Sequence, residues 1–143
     1  MEIIWGVVLI ALSLLAWGGQ ALSWLAPRRA ERLTLIERED TVEPAYYADI
    51  RAEALWDTMT LWVLLVAGIL LIGDVDAWAY FGLLGSGIYL YFAGRGITTR
   101  LSMQRRGLRI GAAQNTSAGY AFLSVCGIVA LLTIPAAAIA LSS

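Results

Sequence analysis

Three carboxylates recur at every fourth residue near the middle of this 143-residue chain. Asp49, Glu53 and Asp57 would share one face of a helix, where like charges at this spacing repel each other. Carboxylate oxygens pair with arginine or bind hard cations such as Ca²⁺ and Mg²⁺. Because this segment lacks the residue order of a known calcium-binding loop, we assign no metal site and keep cation binding as an alternative.

Arginines that follow a later apolar segment are the candidate partners of these carboxylates. If the two segments pack as antiparallel helices, Asp57 comes toward Arg95 and also toward Arg100. Ionisable groups close to a membrane usually pair with one another. We therefore predict a charge network that combines Asp49, Glu53 and Asp57 with the two arginines, and a simply solvated acidic face is the other alternative.

The composition excludes several classes of protein. The chain is 59% hydrophobic and 15% charged, with a mean hydropathy of +0.72, whereas soluble domains are about half apolar and about a quarter charged. It has no histidine, no lysine and a single cysteine, Cys126. Histidine-ligated haem, histidine-based triads and the usual zinc sites therefore lack their ligands. We predict no catalytic residue, no metal and no cofactor.

Four apolar segments account for most of the chain. A helix needs about 20 mostly apolar residues to cross a bilayer, and helices satisfy their own backbone groups in lipid. We predict an all-α, polytopic four-helix bundle that forms a single domain over residues 1–143. Its spans are about 3–25, 54–73, 75–94 and 118–141, and its long loops are 26–53 and 95–117.

The arginines predict the orientation of the bundle. All ten lie in the two long loops, and none lies near the N-terminus, in the 73–76 turn or near the C-terminus. Because cytoplasmic loops retain basic residues, we predict that both loops are cytoplasmic and both termini outside, in the cell inner (plasma) membrane. The acidic start at Glu2 and the basic Arg28 and Arg29 after the first span are typical of an uncleaved helix rather than a signal peptide.

The first loop predicts two helices. Charges of both signs alternate from Arg28 to Asp40, which is typical of a short surface helix. Pro44 ends that helix, and a second one is predicted to begin near Ala45 and to continue into the second span.

The second loop is purely basic. As a helix it would place Leu101 and Leu108 on one side with arginines around them, a pattern typical of an interfacial helix on anionic lipid. We predict that Arg105, Arg106 and Arg109 contact lipid headgroups. Nucleic acid is not an expected partner, because the acidic first loop shares the same face and would repel phosphate.

Small residues predict where the helices pack, since lipid offers no hydrophobic gain for helix association. The predicted packing positions are Gly82 and Ser86 in the third span and Gly119 and Gly127 in the fourth. They serve either the bundle itself or contact with a second copy or another membrane protein. At the 73–76 turn, we expect Gly73 to adopt a left-handed conformation and an aspartate to cap the next helix.

Three short motifs carry a family resemblance. They are Ala26-Pro-Arg-Arg-Ala-Glu-Arg-Leu after the first span, Ile50-Arg-Ala-Glu-Ala at the second, and Ala93-Gly-Arg95 after the third. With the order of the spans, they resemble the small four-helix membrane proteins of the DoxX-like kind, many of which are uncharacterised. The resemblance implies a four-helix fold and says little about activity.

Three functions stay open on the sequence. The first is a non-catalytic accessory, scaffold or regulatory subunit of a larger membrane assembly. The second is a small transporter or ion-coupled carrier, which usually places ionisable residues within the membrane. The third is a membrane enzyme that acts on a lipid or quinone at the cytoplasmic surface. We favour the first, because no set of reactive residues is assembled in the sequence.

Overall fold

The computed structural model describes residues 1–142, and within that range every regular element is a helix. A short 3₁₀ turn, Glu39–Thr41, lies in the first loop. The α-helices are α1 (Glu2–Leu25), α2 (Pro27–Arg32), α3 (Pro44–Thr60), α4 (Trp62–Ile72), α5 (Trp78–Arg105) and α6 (Ala113–Ser142).

Three helical segments are long and apolar enough to cross a membrane. They are α1, with 24 residues, the combined α3–α4 segment Pro44–Ile72, with 29, and α6, with 30. Helices α3 and α4 run on through Leu61, which keeps a right-handed helical conformation (φ −69°, ψ −16°). The predicted helix from the first loop into the second span is therefore present, and Pro44 occupies its first turn, where a missing N–H costs nothing.

Helix α5 has 28 residues, which is length enough for a span, but it is less apolar than the other three. Glycines and tyrosines replace aliphatic residues along it, among them Gly82, Gly85, Tyr89 and Tyr91. The helix also does not end at Gly94, where we predicted the third span to end. It continues to Arg105, so the first part of the predicted basic loop is a direct extension of α5.

The predicted surface helix of the first loop is shorter than the charge pattern indicates. Helix α2 ends at Arg32, and Thr34 takes a left-handed conformation (φ 56°). The N–H of Leu35 then bonds the carbonyl of Ala30 at 2.9 Å. This is the hydrogen bond of a Schellman motif, which closes a helix and turns the chain away. The expectation of one helix from Arg28 to Asp40 was wrong.

The turn between α4 and α5 also differs from the prediction. Gly73 has a negative φ (−79°), and Asp74 is the left-handed residue (φ 53°). The N–H of Val75 bonds the carbonyl of Leu70 at 3.0 Å, so this is a second Schellman closure. No side chain caps the start of α5, whose first flanking residue is Ala77. Asp74 therefore ends α4 rather than starting α5.

The helices pack mainly in the order α1, α4, α5, α6. Leu9, Leu64, Tyr89 and Cys126 are fully buried where these four helices meet. Helix α1 also packs along α3, whereas within residues 1–142 α6 packs extensively only on α5. Consequently α1 and α6 flank an open side of the bundle, which we call the α1–α6 groove.

A smaller apolar cluster joins the two loops. Val42, Tyr46, Ile50 and Ile110 are buried together beneath the ends of the long helices. The N–H of Glu43 donates to the carbonyl of residue 109 at 2.8 Å in the same region. The first turns of α3 are thereby fixed against the segment that follows α5, which places the acidic face of α3 opposite the arginines.

Candidate functional site

The three carboxylates of α3 become more buried along the helix. The side chain of Asp49 is 24% exposed and that of Glu53 is 8% exposed, while Asp57 as a residue is 5% exposed. Their spacing of four places them on one face of α3. Successive carboxylates therefore lie closer to the middle of the bundle, and the cost of keeping each one charged rises in the same order.

Arg95 of α5 joins the first two of these carboxylates. Its Nη2 donates to Oδ1 of Asp49 at 2.5 Å, and its Nη1 lies 3.3 Å from Oε1 of Glu53. We predicted that Asp57 would approach Arg95, but it makes no ion pair within 4.0 Å among residues 1–142. Its Oδ2 is buried and accepts no hydrogen bond from any described residue. Asp57 nevertheless lines the same cavity as Arg95, so the two residues lie near each other without direct contact.

Arg100 lies on the other side of Glu53. Its Nη1 donates to the carbonyl of Gly96 at 2.9 Å, and its charge acts on Glu53 and on the hydroxyl of Tyr46. The predicted members of the charge network are thus brought into one region by α3 and α5. Arg95 and Arg100 flank Glu53, and Asp57 is the member that lacks a direct partner.

Glu53 borders cavities on two sides of the bundle. A cavity of about 280 Å³ lies between α3 and α5 and is lined by Trp56, Asp57 and Tyr91 as well as Arg95. We call it the α3–α5 cavity. On the opposite side, two adjoining cavities of about 320 and 310 Å³ lie at one end of the α1–α6 groove. Glu53 and Arg100 line both of these, and Gln20 and Phe122 complete their shared wall.

The groove holds a larger cavity at its other end. An open cavity of about 580 Å³ lies there between the beginning of α1 and the end of α6, with Trp5, Trp78 and Leu132 among the lining residues. The two ends of the groove therefore differ: one is mainly apolar, with Glu2 as its charged side chain, and the other contains Glu53 and Arg100.

The remaining basic residues lie at and beyond the end of α5. Arg105 and Arg106 are exposed and form no ion pair within the described part of the chain. Arg109 differs from them, because its Nε lies 3.3 Å from Oε1 of Glu43. Leu101 and Leu108 are also exposed. Arg105 and Arg106 therefore have unpaired charges that are available to lipid headgroups, whereas the charge of Arg109 is partly offset by Glu43.

Of the predicted packing residues, three lie at helix contacts. A Cβ at Gly82 would lie 3.3 Å from Cβ of Ala137 in α6, and one at Gly127 would lie 3.5 Å from Cβ of Ala93 in α5. Ser86 is fully buried. Gly119 differs, since the nearest atom to a Cβ there would be Nε of Arg100 at 4.0 Å. It borders the cavity beside Glu53 rather than a helix contact.

Sequence reasoning did not single out the closest helix crossing. A Cβ at Gly68 would lie 2.9 Å from the carbonyl oxygen of Gly6, so α1 and α4 approach backbone to backbone. A Cβ at Gly85 would likewise lie 2.9 Å from the backbone of Leu64, where α5 meets α4. The sequence marks Gly85 as one of several small residues in the third span, but nothing in it distinguishes Gly6, Gly68 or Gly85 as the residue at a crossing or specifies its partner.

Arg51 is a further residue whose role sequence reasoning missed. Its Nη1 donates to the carbonyls of Ser23 and Trp24, the latter at 3.2 Å, and its guanidinium lies 5.1 Å from the Trp24 ring centroid. A cation at this position stabilises the carbonyl end of α1. Arg51 therefore ties α3 to α1, on the face of α3 away from Arg95.

The chemistry that this region offers is recognition of charge. Within residues 1–142 no three Asp, Glu, His or Cys side chains are grouped to hold a metal ion. Cys126 is buried among apolar neighbours in the helix core. The region instead combines buried carboxylates, two guanidiniums and aromatic surface.

Comparison with known proteins finds no matching family model, no matching curated protein and no matching solved structure. The resemblance to DoxX-like proteins therefore stays a prediction.

Proposed function

We propose that this chain is a non-catalytic integral membrane protein that crosses the cell inner (plasma) membrane four times and serves as an accessory subunit of a larger membrane assembly. The observation that carries the proposal is the α1–α6 groove. Its apolar cavity of about 580 Å³ lies between two helices that are themselves long and apolar enough to span a bilayer. The occupant we assign to this groove is an apolar helix of a partner membrane protein.

The fourth crossing is supported by the position of α5. It packs on both α4 and α6, and each of these belongs to a segment long and apolar enough to span. If those neighbours cross the bilayer, α5 lies at the same depth. Its buried small and polar residues, Gly82, Gly85, Ser86 and Tyr89, then face protein, which supports the accommodation of a less apolar helix.

A partner helix is supported by the small side chains that line the groove. Ala136 and Ala140 of α6 border the large cavity, and small residues let a second helix approach closely where lipid gives no hydrophobic driving force. Pro135 lies beside them within α6. Proline has no N–H, so one carbonyl of the preceding turn lacks its helical hydrogen bond. Because an unpaired carbonyl is costly in lipid, contact with protein is favoured over contact with lipid at this level of α6.

The test is site-specific photocrosslinking in the native membrane. A photoreactive amino acid replacing Leu132, which lines the groove, is expected to capture one discrete protein partner. The matched control replaces Ile69 of α4, which is 54% exposed and does not line the groove. Capture of lipid alone from position 132, or the same products from both positions, would overturn the proposal.

A second candidate, a small ion-coupled carrier, is favoured by one observation. Asp57 is buried without an ion-pair partner among residues 1–142, as is common for coupling residues in transporters. Flux measurements on reconstituted vesicles with the wild type and with Asp57→Asn test it. Ion flux that Asp57→Asn abolishes would support a carrier, and flux no faster than in empty vesicles would exclude one for the ions tried.

A further inference from the structure

The α3–α5 cavity combines the features of a site for a small positively charged ligand. Asp57 lines it, with 5% of its surface exposed and Oδ2 without a hydrogen-bond partner in the described chain. Glu53 also lines it, and its Oε1 differs from Oδ2 of Asp57 because it already lies 3.3 Å from Nη1 of Arg95. A buried carboxylate oxygen without a partner, as at Asp57, is costly, so a ligand that donates to it would be strongly favoured.

The local charge indicates the sign of that ligand. Asp49, Glu53 and Asp57 supply three negative charges, while Arg95 and Arg100 supply two positive ones. Arg95 is already engaged by Asp49 and Glu53, so its charge is offset at the cavity wall. Asp57 is the carboxyl of this group without a direct partner, and its ionised form would carry a negative charge that no adjacent guanidinium offsets. A single positive charge in the cavity would balance the network.

The aromatic lining indicates what kind of cation fits. Trp56 and Tyr91 border the cavity and are 59% and 64% exposed, and Phe92 is buried beside them. Aromatic faces attract alkylammonium groups and recur in sites for such ligands. A bare metal ion would need several oxygen ligands, and no three-ligand group for a metal occurs in residues 1–142.

We infer that the α3–α5 cavity binds an alkylammonium group, with Asp57 as its counter-ion and Trp56 and Tyr91 as its aromatic walls. The cavity of about 280 Å³ has the volume of roughly nine water molecules, so it has room for an ethylammonium group together with several waters. This chemistry is found in soluble amines and in the ethanolamine headgroup of a lipid. The site lies on the other side of Glu53 and Phe92 from the α1–α6 groove, and the inference does not depend on the proposed partner subunit.

The test follows Trp56 directly in the full-length protein. Tryptophan is replaced by 5-fluorotryptophan, and the ¹⁹F resonance of residue 56 is assigned by its loss in Trp56→Phe. In a maltoside detergent, titration with ethylammonium chloride is expected to shift this resonance saturably, while sodium chloride at equal concentration does not. Asp57→Asn is expected to weaken the binding at least tenfold, and Asp76→Asn, which alters an exposed carboxylate at the far end of the bundle, should leave it unchanged.

Two further experiments show whether the ligand is a lipid or a soluble amine, and keep the inference testable if Asp57→Asn does not fold. Nanodiscs with phosphatidylethanolamine and with phosphatidylglycerol of the same acyl chains separate a lipid headgroup from a soluble amine. If Asp57→Asn does not fold, Tyr91→Leu replaces it, since Tyr91 is largely exposed and its loss should weaken binding about two- to fivefold. A shift that is absent with every ammonium compound, or that is unchanged in Asp57→Asn or in Tyr91→Leu, would overturn the inference.

Discussion

Arg95 donates a hydrogen bond to Asp49 across 2.5 Å, and the two residues are 46 positions apart in the chain. The contact connects the first half of α3 to the part of α5 beyond the predicted third span. The same guanidinium also lies 3.3 Å from Glu53, whose side chain is only 8% exposed. One arginine thus bridges two carboxylates that would otherwise repel each other on a single helix face.

Loss of Arg95 is expected to destabilise the bundle. Arg95→Gln leaves Asp49 without its hydrogen-bonded partner and leaves Glu53 with Arg100 as its remaining positive neighbour. Breaking a buried pair costs about 3–5 kcal/mol and an exposed one about 0–1 kcal/mol. Because Arg95 and Asp49 are 30% and 24% exposed, we expect an intermediate loss of about 1–3 kcal/mol. Reversible unfolding in mixed micelles measures it.

A double-mutant cycle tests the assignment of this effect to the ion pair. Combining Arg95→Gln with Asp49→Asn should cost less than the sum of the single changes, because the second removes one of the uncompensated charges. Arg105→Gln is the matched control, since Arg105 is exposed and forms no ion pair among the described residues. Strict additivity of the two changes would contradict the pairing.

Alanine in place of the glycines at the α1–α4 and α4–α5 crossings is expected to lower the stability of the bundle. Gly68→Ala and Gly85→Ala would each place a carbon 2.9 Å from backbone atoms of the neighbouring helix, and the helices would have to separate. Overpacking of this kind costs about 1–3 kcal/mol. Gly87→Ala is the control, because nothing lies within 4 Å of a Cβ there. Thermal unfolding that ranks Gly87→Ala with the other two would contradict the predicted crossings.

The basic end of α5 should bind anionic lipid with unequal contributions from its arginines. A basic residue near an anionic surface contributes about 1 kcal/mol, which is roughly fivefold in affinity. We expect Arg105→Gln and Arg106→Gln each to lower phosphatidylglycerol binding by about this factor. Arg109→Gln should have a smaller effect, because Glu43 already offsets its charge at 3.3 Å.

Native mass spectrometry with phosphatidylglycerol and phosphatidylcholine measures this difference. Arg38→Gln is a suitable control, because Arg38 pairs with Asp40 at 2.8 Å in the other loop. Equal losses from Arg105→Gln, Arg109→Gln and Arg38→Gln would indicate general attraction to the loops rather than contact at the end of α5.

The sidedness of the loops is tested by cysteine labelling in intact cells. In a Cys126→Ala background, Arg38→Cys and Arg106→Cys are each expected to be protected from a membrane-impermeant maleimide. Asp74→Cys, in the turn between α4 and α5, should react. Protection requires that all arginines lie on the cytoplasmic side. Reaction at position 38 with protection at position 106 would contradict four crossings.

The sequence predicted the helices better than the way in which they end. Blocks of apolar residues indicated membrane-length helices, and Pro44 together with the following periodicity predicted the continuous segment from α3 into α4. The end of α2 at Arg32 came earlier than predicted, and at the end of α4 the position was predicted within one residue but the left-handed residue was not. Both depend on a non-glycine residue, Thr34 or Asp74, in a left-handed conformation, and composition does not favour that choice at either position.

The sequence by itself determined which side chains share a helix face, because a spacing of four residues fixes Asp49, Glu53 and Asp57 relative to one another. Only the tertiary structure decided which of them meets Arg95, because the axial offset between α3 and α5 sets the level at which the guanidinium lies. The same holds for the glycines: the sequence shows where a close approach is possible, and the packing of α1, α4 and α5 decides which backbone fills the space. Contacts between helices depend on how the whole bundle buries its surface, and no local pattern contains that information.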